Sequence, residues 1–406
     1  MTTGSPAPLA GIRVLDASSV LSGPLTAMIL AELGAEVIKV ENPAAPDFTR
    51  GTSSRRGGMT AYYYNTNRGK RSLAINGRHP EGQQVLRKLV TTVDVVLQNM
   101  RPGKAAGIGL DPDECLALNP SVVYTSISGF GSDGPAAGEP VYDYVIQAVS
   151  GMVDLQRDPI TGRHDLARHF PADKTTSHAT VEAILAALFA RERDPLRRGQ
   201  HVQVSMHEAN LAYFWPDGMM QHTIVGEPDD PAMYPGDYYR VYPTTDGAIV
   251  LMPIMSPLEA LCLAVDRPQW AIDPRWAPNL VEGNLGLFQD LLADEIASRS
   301  TDEALAAFAA HDVPAGRVLG RDEVADHPQA VARQSVRTVD APHIGSVRVP
   351  RPAWRFATTP AVLPTDAPQL GQDTTAILSE LGYDRASIDR LESQQVIRTH
   401  ETTDNS

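Results

Sequence analysis

Residues 12–41 read IRVLDASSVLSGPLTAMILAELGAEVIKVE, and the fold turns on this stretch. IRVLD (12–16) is a short apolar run of strand length, and ASSVLSG is a loop. PLTAMILAEL is an apolar helix with Pro24 in its first turn, where a missing N–H does no harm. Gly34 supplies the stop, and EVIKVE (36–41) returns as a second strand. Strand, helix and strand in one pass predict a parallel pair joined by a right-handed crossover, so the expected class is α/β.

The same grammar continues outward. PEGQQVLRKLVTT reads as a helix and VDVVLQN as a strand, while SVVYTSIS (121–128) is another buried-strand candidate followed by the turn-rich GFGSDGPAAGEP. A long helix is expected from Asp173 to about Glu192, leading through RDPLRRGQ to a strand at HVQVSM. After residue 210 the texture changes. YFWPDGMMQHTIVGEPDDPAMYPG is rich in Pro, Gly, Asp and Met and reads as a linker, and DYYRVYPTTDGAIVLMP reads as a β-hairpin turning at Asp246-Gly247. Helical patterns follow at SPLEALCLAV, LGLFQDLLADEIAS and TDEALAAFAAH, and a late one at DTTAILSELG. The chain of 406 residues exceeds what one core usually serves. The expected layout is a large α/β domain over 1–205 that resumes at 351–406. A smaller α+β domain over 226–325 interrupts it, reached by linkers at 206–225 and 326–350.

Hydrophobic residues at 42% and charged residues at 21% are those of an ordinary globular protein. A formal net charge of −14 argues against sequence-independent binding to nucleic acid or an anionic membrane, but leaves room for an anionic small ligand on a local basic cluster. The two cysteines, Cys115 and Cys262, have neither metal nor redox spacing, so no metal site is expected and a reducing cytoplasm is. The start MTTGSPAPLAGIRV has no basic-then-apolar leader pattern, and HETTDNS reads as a frayed tail.

The first loop, DASSVLSGP, lacks the glycine triplet of a dinucleotide fingerprint, which sets nicotinamide chemistry aside. NTNRGKRSLAINGR and QNMRPGKAAG carry Arg68, Lys70, Arg71, Arg78, Arg101 and Lys104, and Lys39 sits in the second strand. Such a concentration is either a solvated face or a phosphate-binding rim. Tyr142 is either a packing residue or a hydrogen-bond donor, and with a reference pKa of about 10 it is a poor proton acceptor at neutral pH. Asp173 heads its helix either as a cap or as a nucleophile. In the second case the helix dipole, with Lys174, would keep the carboxylate ionised. His178 reads as structural.

Taken in order, PLAGIRVLDASSVLSGPLTAMILAELGAEVIKVENP, NTNRGKRSLAI, LQNMRPG, SISGFGSDGP, VYDYVIQAVSG and PADKTTSHATVEAILAALFARERDPLRRGQHVQVSM resemble the family III CoA-transferases, the group of formyl-CoA transferase and the 2-methylacyl-CoA racemases. HDVPAGRVL and LGQDTTAILSELGY fit as well. The resemblance implies a Rossmann-like large domain, a small domain and a homodimer of interlocked chains. It implies coenzyme A as part of the acyl-CoA substrate, with Asp173 as the acyl-accepting residue. Contacts to coenzyme A would fall at Leu21 and Ser22, at Ile75 to Arg78, at Asn99, Met100 and Arg101, and near Tyr142 and Asp143. The implied reaction passes coenzyme A from an acyl-CoA to a free acid through an acyl-aspartyl anhydride and an aspartyl thioester. A racemase of the same fold and a non-catalytic coenzyme A binder are the alternatives. The chain departs from the family pattern in three places. GEPDDPAMYPG has no run of glycines, Leu21 replaces a small polar residue, and Asn42 replaces a basic one. Tyr142 stands where the racemases place a catalytic histidine.

Overall fold

The computed structural model describes residues 6–158, 161–227, 235–277, 280 and 283–400. Contacts divide the chain into two compact units, Met1–Gly218 with Gln334–Ser406, and Met219–Arg333.

The first unit is built on a seven-stranded sheet. Its strands are β1 (Arg13–Asp16), β2 (Glu36–Glu41), β3 (Lys70–Ile75), β4 (Val95–Gln98), β5 (Val123–Ser128), β6 (Gln200–Ser205) and β7 (Ile397–Arg398). In space they run β7-β3-β2-β1-β4-β5-β6. All neighbours are parallel except β7, which lies antiparallel on β3. Chain order therefore reverses at β1, and the loops after β1 and β4 leave the sheet on either side of a crevice, the usual ligand position in such sheets.

Strand alternation explains the two cores. Leu15, Ile38 and Val96 face one side, with α2 (Pro80–Val90) and the late helices Thr374–Glu380 and Arg385–Ser393 packed over them through Leu86, Leu89, Ile377 and Leu391. Val14, Val37 and Val95 face the other side, under α1 (Ser22–Glu32) and α4 (Pro171–Arg193), which contribute Leu30, Ala172, Ile184 and Leu188. A sheet covered on both faces needs apolar residues at consecutive positions, hence runs such as IRVLD and VVL. Short α3 (Asp143–Val149) packs near the start of α4, and α5 (Met206–Gly218) follows β6.

Four details depart from the sequence reading. KRSLAI, read above only for its charges, is the strand β3. YFWPDG closes helix α5, with Pro216 in its last turn, so the start of the Pro- and Gly-rich stretch is helical as far as Gly218. Within 326–350, Val336–Ala341 and Gly345–Pro350 form an antiparallel hairpin. The helix of Asp173 begins at Pro171 with Phe170 as its N-cap, so Asp173 is not the cap.

The second unit has a three-stranded antiparallel sheet of Ala315–Arg317, Ala248–Leu251 and Arg240–Pro243, its hairpin turning through Asp246-Gly247. Helices Leu258–Ala264, Leu285–Ala297 and Thr301–Ala310 close a core around Trp276 and Phe288. Much of GEPDDPAMYPG lies outside the described residues. No helix among the described residues is long and apolar enough to cross a membrane.

Candidate active site

The crevice is shaped first by the loop between β1 and α1. Ser19 N–H donates to Asn99 Oδ1 at 2.9 Å, and Asn99 Nδ2 donates back to the Ser19 carbonyl at 2.8 Å. Val20 N–H donates to Asp47 Oδ2 at 3.1 Å. Between these anchors Val20 has φ +73°, a left-handed conformation that a β-branched residue avoids at a cost of about 1–3 kcal/mol. Gly23 lets the loop fold back, because a Cβ there would collide with Ser18.

Beside this loop opens a basin of 860 Å³, large enough for a nucleotide. Ile75, Leu86, Met100 and Ile108 give it apolar walls, and Arg78, Arg101 and Lys104 line its rim. These three are exposed, and among the described residues no acidic side chain pairs with any of them. The rest of the basic cluster is different. Lys39 is buried against Asp47 at 3.3 Å, Lys70 against Asp16 at 2.8 Å, and Arg68 against Glu32 at 3.2 Å. Arg71 is shared by Glu36 and Glu380, each at 2.6 Å. Four of the seven cations therefore hold the fold, and three are left for the rim.

Ser19, Met100 and Arg101 also line a narrower cavity of 220 Å³, so the basin leads into it. At its wall stand Ser22, Asn99, Tyr142, Glu139 and Asp173. Asp173, in the first turn of α4, is only 8% exposed. Burial pushes its pKa up to about 6, and the charge of Asp143 pushes the same way, while the hydroxyl and N–H of Ser22 draw it back. This corrects the expectation of a helix-depressed carboxylate, because desolvation outweighs the dipole. Lys174 and His178 are both exposed.

Asp143 and Gln147 fix the start of α4. Asp173 N–H donates to Asp143 Oδ1 at 3.0 Å, satisfying one of the free donors of a helix N-terminus. Gln147 Nε2 donates to Asp143 Oδ2 at 2.6 Å, and Gln147 Oε1 accepts from Ala167 N–H at 3.0 Å. Asp143 is therefore a buried support, and Leu21, also buried, does not line either cavity. Ile75 and Arg78 belong to the basin, Ser22, Asn99 and Tyr142 to the narrow cavity, and Met100 and Arg101 to both.

Three cations without acidic partners thus line a basin that shares residues with a narrower cavity, on whose wall stands a buried carboxylate. The sequence matches CoA-transferase family III over residues 9–374. This chain belongs to that family.

Among relatives of this CoA-transferase is the succinate–glutarate CoA-transferase of Agrobacterium fabrum, 33% identical over 392 residues that span 92% of this chain and 96% of the relative. The human succinyl-CoA:glutarate CoA-transferase is 30% identical over 416 residues, 97% of this chain and 91% of the relative. A crystal structure of a CAIB/BAIF family protein from Brucella suis is 30% identical and superposes with a TM-score of 0.81, covering 93% of this chain and all of that one.

Two aromatic groups near the carboxylate escaped the sequence reading. Tyr62 stacks on Phe170, with ring centroids 6.2 Å apart and planes 8° apart. Burial pushes the Tyr62 phenol up to about 12, and the charges of Asp173, Asp47 and Asp143 add to the shift, so it stays a proton donor. The signal was the run AYYYN just ahead of NTNRGK. Among the described residues, no group of three or more His, Cys, Asp or Glu side chains is placed to hold a metal ion.

Proposed function

We propose that this family III CoA-transferase moves coenzyme A from an acyl-CoA to a free carboxylic acid through covalent turnover of Asp173. The observation that carries the reading is the position of that carboxylate, buried, with its pKa near 6, on the wall of a narrow cavity that shares Ser19, Met100 and Arg101 with a cation-rimmed basin. Arg78, Arg101 and Lys104 would hold the phosphates, as guanidinium forks and an ammonium do. Ile75, Leu86, Met100 and Ile108 would cover the base.

A carboxylate with pKa near 6 is more nucleophilic than an ordinary aspartate, yet roughly nine-tenths ionised at pH 7. An Asp173 oxygen attacks the thioester carbonyl, the C–S bond breaks, and coenzyme A leaves as thiolate with an acyl-aspartyl anhydride behind it. The thiolate then attacks the aspartyl carbonyl carbon. The donor acid departs with the bridging oxygen, and Asp173 becomes a thioester. An acceptor carboxylate repeats the two steps in reverse order, which regenerates the Asp173 carboxylate. Each tetrahedral oxyanion develops beside the Ser22 N–H and the starts of α1 and α4, a setting that favours negative charge. Low exposure of Asp173 keeps water from the anhydride. Tyr142, 56% exposed and phenolic, favours transfer over racemisation, which needs a second base. With this reading go the Rossmann-like character of the sheet, supported by its strand order, and the interlocked homodimer.

Two outcomes follow. Hydroxylamine added during turnover should convert Asp173 to a hydroxamate, detected by mass spectrometry of its peptide and dependent on acyl-CoA. Active turnover with no such adduct would overturn the covalent route. Because attack requires the charged form, kcat/KM should rise through an acid limb near pH 6 and fall about tenfold per pH unit below it. A limb near 4 would show an unperturbed carboxylate.

A further inference from the structure

Asn99 lies on the wall of the narrow cavity, where the family resemblance makes it a contact to coenzyme A, but its amide is already engaged. Oδ1 accepts from Ser19 N–H at 2.9 Å and Nδ2 donates to the Ser19 carbonyl at 2.8 Å. The next residue, Val20, holds φ +73° with its N–H on Asp47. Two residues further on is Ser22, the first residue of α1, which stands with Asp173 on the wall of the narrow cavity, its N–H and hydroxyl bearing on that carboxylate. Across the helix interface, Ser177 Oγ donates to the Ser22 carbonyl at 2.9 Å. A valine does not rest at positive φ unless its surroundings impose it, so the anchors on either side of Val20 are what keep the loop in this path. On the far side Asp47 is held in turn by Lys39, at 3.3 Å.

We infer that Asn99 is a positioning residue, whose paired hydrogen bonds to Ser19 hold Val20 in its left-handed conformation and thereby aim the Ser22 donors at the Asp173 carboxylate. This rests on the proposed nucleophilic role of Asp173. If the Asn99 bonds are lost, the loop relaxes toward negative φ, Ser22 withdraws, and the carboxylate loses the contact that opposes its burial. The Asn99 bonds touch none of the other groups around the carboxylate: Asp143 from α3 bears on it, Tyr62 from helix Ala61–Asn67 feels its charge, and Glu139 and Arg101 line the same cavity. The acid limb should then move up in pH, because the buried acid is harder to ionise without a donor.

The test is Asn99→Ala, with three readouts on the purified full-length enzyme. Equilibrium binding of free coenzyme A should stay within about twofold of wild type, since the Asn99 amide makes no ligand contact in this scheme. The value of kcat should fall ~10-fold or more, the scale of losing one donor to a developing oxyanion. The acid limb should rise by about half a pH unit or more. Adding Val20→Gly, which carries φ +73° without strain, should restore much of the lost kcat. Weaker binding with an unmoved limb would make Asn99 a ligand contact and overturn the inference, as would a double variant no faster than the single one. Near-native coenzyme A affinity itself certifies a folded groove, and Asn99→Ser with the same readouts serves if the alanine variant does not fold. If Asp173→Asn turns over normally, the functional reading fails first. If Asp173→Asn is dead while the limb of Asn99→Ala stays put, only this inference falls.

Discussion

Asp173→Asn should lose transfer by about 10⁴-fold or more while binding coenzyme A within a few-fold of wild type. The loss follows from the absence of a nucleophilic oxygen in the neutral amide, and the retained binding from the distance in sequence and space between Asp173 and the rim of Arg78 and Lys104, which line only the basin. The same variant should be more stable than wild type at neutral pH. The folded-state pKa of about 6 lies above the ordinary value of 3.8, so the acid is more easily charged in the unfolded chain. Stability from this group is complete below pH 3.8 and declines as pH rises toward 6. With 1.36 kcal/mol per tenfold, the loss is about 3 kcal/mol above that range. Urea unfolding at pH 8 should show the gain, and at pH 3.5 the difference should vanish. Normal turnover, or lower stability at pH 8, would contradict the assignment.

Lys70→Met should destabilise the fold by about 3–5 kcal/mol. The Lys70 side chain is fully buried, and Nζ donates to Asp16 Oδ2 at 2.8 Å, to the Pro24 carbonyl at 2.8 Å and to Asn67 Oδ1 at 2.9 Å. Methionine fills the volume but leaves Asp16, itself fully buried, without its closest cation. Burial drags Lys70 down to about 8 and the Asp16 charge works against that, so the pair is held by mutual compensation. Denaturant midpoints of the ligand-free protein are the measure. A phosphate-contact role would instead weaken coenzyme A binding at unchanged stability, and that result would return Lys70 to the rim.

These two residues mark where sequence reading works and where it stops. Strand β2 was legible to the residue, because an apolar run between a glycine stop and a loop is a local signal. Strand β3 was hidden because its first two residues are Lys70 and Arg71, whose partners Asp16, Glu36 and Glu380 lie far away along the chain. Charge density reads the same whether a cation faces water or a buried acid, so only the fold separates Lys70 from Lys104. Helix α5 was hidden by Pro216 and Gly218, ordinary loop signals that a final helical turn tolerates. Asp173 was legible as a helix-start residue, but the cap lies three positions earlier, and the groups that act on its carboxyl besides burial, Asp143 and Ser22, lie 30 or more residues away along the chain. Val20 carries no local sign of its left-handed backbone.

The placement of β7 has a consequence for biosynthesis. The outer edge of β3 is sealed by Ile397–Arg398, and the bend into Arg78 is steadied by Asn76 N–H donating to the Val396 carbonyl at 2.7 Å. While the ribosome is still making the intervening hundreds of residues, that edge offers unpaired donors and acceptors to any neighbouring nascent chain. The bend that carries Arg78 is therefore among the last features to mature, and chaperone demand should track the time between translation of β3 and release of the final strand.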